Sequence, residues 1–198
     1  GEKMSKSLGN FLTVRDILGR GPWAGEAFRL LLLRTHYRQP LDWNHGLLDQ
    51  SRKALDRLYG ALHRSADVQA AEIDPPADFL RSIEDDLNTP GAMASLFALS
   101  SEIERGMTAG DHAAVAEAKG RLLACASILG VLQSDPAAWL EGEVSDDLRA
   151  EVATLLDQRA AARAAKDWPE ADRIRDRLNA LNVVVMDGPQ GATWRLKG

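Results

Sequence analysis

From Val115 onward the residues Val115, Ala118, Leu122, Cys125 and Leu129 recur at offsets of three and four, and Gly130 closes the run. That spacing puts them on one face of an α-helix, which must be buried against a neighbouring element. A glycine just beyond it is a common left-handed stop. The same period returns in Leu48, Ser51, Leu55, Leu58 and Leu62 after Asn44, and in Met93, Leu96, Phe97, Ser100 and Ile103 after Asn88-Thr89-Pro90. Phe28, Leu31, Leu32 and Thr35 after Pro22 repeat it on a shorter scale. With aromatics at only 6% and Ala and Leu abundant, these stripes predict a mainly α-helical bundle rather than a β-sandwich or barrel. Cys125 lies within its stripe, so it reads as a small core residue and not as a nucleophile.

Punctuation residues divide the chain. Thr13-Val14-Arg15-Asp16 has the form of a capping box opening a short helix that Gly19 stops. Gly21-Pro22 restarts a helix that ends before Pro40, and Asn44 caps a long one reaching Arg64. Residues 65–76, with Asp67, Glu72, Asp74, Pro75 and Pro76, predict an exposed linker with little to bury. The acids Asp85 and Asp86 read as solvated residues at a helix junction rather than as a catalytic or magnesium-binding pair. A polar stretch over 134–147 predicts a domain boundary. Beyond it come a helix through Ala165, a second helix opened by Pro169 and stopped at Asn182, and a hairpin. Val183–Asp187 and Ala192–Leu196 are its strands, Gly188-Pro189-Gln190-Gly191 its turn, and Trp194 a residue of its core.

The lone cysteine excludes an internal disulfide and a cysteine-based zinc site, and favours a reducing, cytoplasmic setting. No apolar run approaches membrane-spanning length, and no signal-peptide pattern follows the first charges. The chain starts on a loop-like motif with Gly1, which suggests truncation. Its net charge of −5 conceals a division. Residues 1–40 carry seven Lys and Arg against three acids, residues 41–158 nine against twenty-one, and residues 159–198 eight against five. Phosphates respond to local clusters of cations, so two basic ends flanking an acidic middle suit polyanion contacts at both ends.

The sharpest signal is Lys3-Met4-Ser5-Lys6-Ser7-Leu8-Gly9-Asn10. Two lysines three apart on a loop, with hydroxyl residues beside them and a glycine after, can set two cations around a phosphate chain. When a carboxylate attacks the α-phosphate of ATP, charge grows on the departing pyrophosphate, and mobile ammonium groups lower that barrier.

This string resembles the KMSKS signature of class I aminoacyl-tRNA synthetases. The run Lys3 to Asp16 is similar to the cysteine-specific branch, the cysteinyl-tRNA synthetases. Tyr37-Arg38, Asp85-Asp86-Leu87-Asn88-Thr89-Pro90, Ala165-Lys166-Asp167-Trp168 and Asp187-Gly188-Pro189-Gln190-Gly191-Ala192-Thr193-Trp194 resemble the same family in order and spacing. The resemblance covers the whole chain. It implies a KMSKS loop and stem-contact segment over 1–40, a helical bundle of anticodon-binding type over 41–140, and a small α+β anticodon-binding unit over 141–198. It implies that Lys6, assisted by Lys3, meets ATP phosphate, with Ser5 and Ser7 alongside, and that residues up to 40 contact the inside of the tRNA L. ATP with Mg2+, tRNA(Cys) and an N-terminal catalytic domain are the expected cofactor and partners, with no membrane and a monomeric state. Zinc is expected only in that N-terminal half, and no metal is expected on this chain. No His-x-Gly-His motif occurs here, and His36, His45, His63 and His112 have no partner cysteines. Cysteine activation by this chain alone is therefore not expected.

Single-stranded bases are read by stacking on aromatic or guanidinium planes and by hydrogen bonds to their edges. The resemblance assigns anticodon recognition to the C-terminal unit, carried here to Arg163, Trp168, Asp172, Arg175 and Asp187. Arginine donates to guanine, and aspartate accepts from guanine or cytosine amino groups. Asp172 and Arg175 also read as a plain solvated ion pair, and Trp168 as packing of the helix junction. Two further readings stand beside the ligase: a free-standing tRNA-binding or regulatory module, and a cysteine ligase acting on an amino sugar. The Trp168-to-Trp194 region speaks against the last.

Overall fold

The structure, a computed structural model, describes residues 12–41, 43–141, 146–188 and 191–196. Lys3, Ser5, Lys6 and Ser7 lie outside the described residues. The chain divides between Asp135 and Pro136 into two compact units. Among the described residues the first unit contains α1 (Val14–Leu18), α2 (Ala24–Leu33), α3 (His45–Arg64), α4 (Ala77–Glu84), α5 (Thr89–Ala109) and α6 (His112–Leu129). The second contains α7 (Pro136–Glu141), α8 (Asp146–Ala164), α9 (Trp168–Ala180) and strands β1 (Val183–Gly188) and β2 (Gly191–Leu196). No described helix is long and apolar enough to cross a membrane.

The α3 and α6 stripes that predict the bundle lie in its core, whereas the shorter α2 stripe is buried only in part, Leu31 being enclosed and Leu32 47% exposed. Leu48, Ser51, Leu55, Leu58 and Leu62 of α3 are all buried, as are Val115, Ala118, Leu122, Cys125 and Leu129 of α6. Burial pushes the Cys125 thiol up to about 11, in keeping with a structural cysteine. Where α5 meets α6, Gly106 lets the backbones approach, since a Cβ there would fall 2.7 Å from Val115 Cγ2. Gly110 (φ 69°) and Gly130 (φ 66°) end α5 and α6 in the left-handed conformation, and Asn44, Asn88 and Asp111 cap the starts of α3, α5 and α6. The Thr13–Asp16 capping box of α1 is complete. Arg64 of α3 pairs with Glu104 of α5.

Helix α2 ends at Leu33, before Pro40 as expected, with Arg34 as its C-cap. Two local expectations are corrected. The segment 65–76 is not an idle linker. Val68 is buried, Ala71 N–H donates to the Ala116 carbonyl at 2.9 Å, and Lys119 Nζ donates to the Ser65 and Val68 carbonyls at 2.7 Å each. Composition registers its acids and prolines but not the α6 side that satisfies its backbone. Asp86 is anchored rather than merely solvated: it accepts Tyr37 Oη at 2.6 Å and Arg38 Nε at 2.8 Å, tying the turn after α2 to the α4–α5 junction. Asp86 and Leu87 hold that junction at positive φ, 48° and 54°.

A half-buried polar network fixes the end of the first unit. Tyr59 Oη donates to Glu26 Oε2 at 2.8 Å and accepts the Ser134 N–H at 3.0 Å, while Leu132 N–H donates to Glu26 Oε1 at 2.6 Å. Leu132 adopts φ 58° to do so. Burial raises the Tyr59 phenol far above its usual value, which keeps it a donor at all ordinary pH.

In the second unit β1 and β2 pair antiparallel, with Val183 opposite Leu196, Val185 opposite Trp194 and Asp187 opposite Ala192. Val183 and Trp194 pack with Val152 and Leu155 of α8 and Ile174 and Leu178 of α9 into one core. Asn182 takes the expected left-handed turn at φ 59°. The α8–α9 turn passes through Lys166 at φ 60°, and the Asp167 side chain then caps α9 at the Glu170 N–H.

Candidate nucleic-acid interface

In the C-terminal unit two arginines of α8 meet one acid of the hairpin. Arg159 and Arg163 are four apart on α8 and therefore share a face, and both reach Asp187 near the end of β1. Arg159 donates through both terminal nitrogens, Nη1 to Oδ1 at 2.8 Å and Nη2 to Oδ2 at 3.0 Å. Arg163 Nη1 adds a contact to Oδ2 at 3.2 Å. The two arginines are unequal: the Arg159 side chain is 14% exposed and that of Arg163 47%. The Arg159 bonds hold the Asp187 carboxyl below the usual carboxylate range, and Asp187 in turn raises the Arg159 guanidinium.

Asp172 and Arg175 pair on α9 at 3.2 Å, both well exposed, and Arg175 also lies 4.0 Å from Asp176. The negative charge of Asp172 also acts on Arg159, so Arg159 feels both aspartates. Trp168 opens α9 with 58% of its surface exposed, whereas Trp194 retains 8%. The junction-packing role for Trp168 is thus not what the fold uses, while Trp194 fills the hairpin core as expected.

The structure therefore joins Arg163 to Asp187, and Asp172 to Arg175. Trp168 stands exposed at the head of the helix carrying Asp172 and Arg175. The residue that sequence reasoning missed is Arg159. Its signal was its place one helical turn before Arg163, but nothing in the local sequence announces a partner 28 residues away. The parts assembled here, an exposed indole, exposed guanidinium groups and carboxylates, are those that stack on and hydrogen-bond unpaired bases. Among the described residues no group of three or more His, Cys, Asp or Glu side chains is placed to hold a metal ion.

Comparison with known proteins follows the same division. A family model described as the cysteinyl-tRNA ligase anticodon binding domain matches residues 145–195. The DALR domain model matches residues 78–133, and the model of the class I (C) tRNA synthetase catalytic domain matches residues 1–53. Over its full length the chain is 57% identical to the cysteine–tRNA ligase of Caulobacter sp. (strain K31) and 56% identical to that of Caulobacter vibrioides (strain NA1000 / CB15N). Over 98% of its length it is 48% identical to the cysteine–tRNA ligase of Rhodospirillum rubrum. It spans 42% of the length of each of these relatives.

Proposed function

The chain belongs to the cysteine–tRNA ligase family, and from that membership we propose that it handles ATP phosphate at one end and the tRNA anticodon at the other. The intact enzyme would activate cysteine with ATP and transfer it to tRNA(Cys). In this reading residues 1–40 are the phosphate loop and stem-contact segment, 41–140 the bundle, and 141–198 the anticodon-binding unit. Lys6 and Lys3 meet the charge that develops on the departing pyrophosphate, with Ser5 and Ser7 as hydrogen-bond partners of the phosphates. Magnesium would arrive with ATP. Cysteine selection, and any zinc serving it, would belong to residues other than those of this chain, which has a single buried cysteine. The catalytic domain that works with it, a monomeric state and a cytoplasmic location are part of the same proposal.

The observation carrying the anticodon reading is the solvent-facing set Trp168, Arg163, Asp172, Arg175 and Asp187, inside the segment that matches the anticodon-binding family. Trp168 offers a stacking plane, the arginines donate, and the aspartates accept from base amino and imino groups. An enzyme acting on an amino sugar has no use for such a surface.

The test is filter binding of the 198-residue chain to tRNA bearing the cysteine anticodon and to the same tRNA with changed anticodon bases, at two salt concentrations. Tighter binding of the matched RNA at both salts is expected, and equal affinity for both RNAs overturns the anticodon reading. Cysteine-dependent exchange of pyrophosphate into ATP by the chain alone would contradict the assignment of cysteine selection elsewhere.

A further inference from the structure

We infer that Arg159 is a positioning residue for anticodon recognition, clamping the Asp187 carboxylate so that Oδ1 keeps a free acceptor direction for a base edge and Oδ2 gains one when Arg163 turns to the RNA. The inference rests on Asp187 being an anticodon contact, as proposed above. An ionised carboxylate offers about four acceptor sites on its two oxygens. Arg159 takes one site on each oxygen through a two-pronged pairing, 2.8 Å to Oδ1 and 3.0 Å to Oδ2. A fork of that kind fixes the plane of the carboxylate as well as its position. A single N–H contact leaves the group free to rotate.

The difference between the two arginines supports this division of labour. Arg159 is largely enclosed, makes both bonds, and also lies within reach of the charge of Asp172. It thus offsets negative charge between two carboxylates that would otherwise repel an incoming phosphodiester chain. Arg163 makes one longer contact to Asp187 and is nearly half exposed. It can leave Asp187 for RNA without releasing the carboxylate, because Arg159 holds both oxygens.

The experiment measures the dissociation constants of the full chain for tRNA with the cysteine anticodon and for versions changed at one anticodon base. Their ratio is the readout. Arg159→Lys keeps the charge but cannot supply the planar fork. It is expected to lower the matched-to-changed ratio about tenfold, the scale of one base-edge contact, while affinity for the changed RNAs stays within about threefold, as expected of an unaltered phosphate term. Arg159→Ala is expected to lower the ratio as much and to weaken all RNAs as well. Amide exchange across β1 and β2 reports whether the hairpin remains packed, and should Arg159→Ala unfold it, Arg159→Lys decides alone. Asp187→Ala separates the two ideas. If it leaves the ratio intact, Asp187 is no anticodon contact and the reading beneath the inference fails. If it collapses the ratio while Arg159→Lys preserves it, that reading stands and the positioning role of Arg159 is wrong.

Discussion

Gly120 of α6 lies so close to Ala71 that a Cβ on it would stand 2.1 Å from the Ala71 carbonyl oxygen. The obstacle is backbone, held in place by the Ala71-to-Ala116 hydrogen bond, so it has little freedom to yield. Gly120→Ala is therefore expected to destabilise the first unit by about 1–3 kcal/mol despite alanine's better helix propensity. Urea unfolding of wild type and variant measures it, and an unchanged or higher midpoint would show that the 65–76 segment is not docked there.

Lys119 serves the same docking from the side-chain end, satisfying two carbonyls that close α3 and the turn after it. Its ammonium is partly desolvated, which lowers its affinity for the proton. Lys119→Met keeps the stem and removes the donor, leaving carbonyls short of a partner, for an expected loss of about 1–3 kcal/mol. Faster amide exchange at Ala71 in the variant is the companion observation.

Tyr59→Phe removes one hydroxyl that serves both Glu26 and the Ser134 N–H. The cost should be about 1–3 kcal/mol, because both partners stay in place with nothing to replace the bond. Amide exchange at Ser134 should rise more than at the centre of α3. Equal protection of Ser134 in the two proteins would count against the network.

The two C-terminal tryptophans make opposite predictions. Trp194→Ala empties part of the core formed by Val152, Ile174 and Leu178, and should cost about 3–5 kcal/mol. Trp168→Ala should change stability by no more than about 0.5 kcal/mol, as for other exposed positions, but weaken tRNA binding by about 1–3 kcal/mol if a base stacks there. Unaltered tRNA binding by a folded Trp168→Ala protein removes Trp168 from the interface.

The Asp187 carboxyl titrates below its unfolded value because Arg159 favours the ionised form. Its contribution to stability is thus fully present above the ordinary carboxylate pKa of about 3.9 and is lost as pH falls through the lower folded value. Between neutral pH and about pH 5 the hairpin should show no change from this source. Carbon-detected NMR titration should find the Asp187 midpoint below that of the protein's unpaired aspartates and moved upward in Arg159→Ala.

Much of the architecture was readable because helix stripes and caps are local. The α3 and α6 stripes, the caps at Asn44 and Asn88, the left-handed stops at Gly130 and Asn182, and Trp194 in the hairpin core each follow from a few neighbouring residues. What escaped depends on residues distant in sequence. Asp86 looked solvated because Tyr37 and Arg38 are nearly fifty positions away, and 65–76 looked idle because Lys119 and Gly120 are just as remote. For the same reason the candidate interface is legible in sequence as a list of residue types but not as a pairing: Arg163 and Asp187 are recognisable by type, whereas their contact and the share of Arg159 in it are not. Its role exists only once the hairpin has folded back onto α8.

That dependence reaches beyond structure. Until β1 lies against α8, the helix presents Arg159 and Arg163 without the acid that restrains them, and bare guanidinium groups hold any RNA backbone regardless of its letters. A chain whose hairpin has not yet closed would thus hold RNA indiscriminately, and selectivity would emerge only once β1 and β2 have paired and Asp187 has met the two arginines.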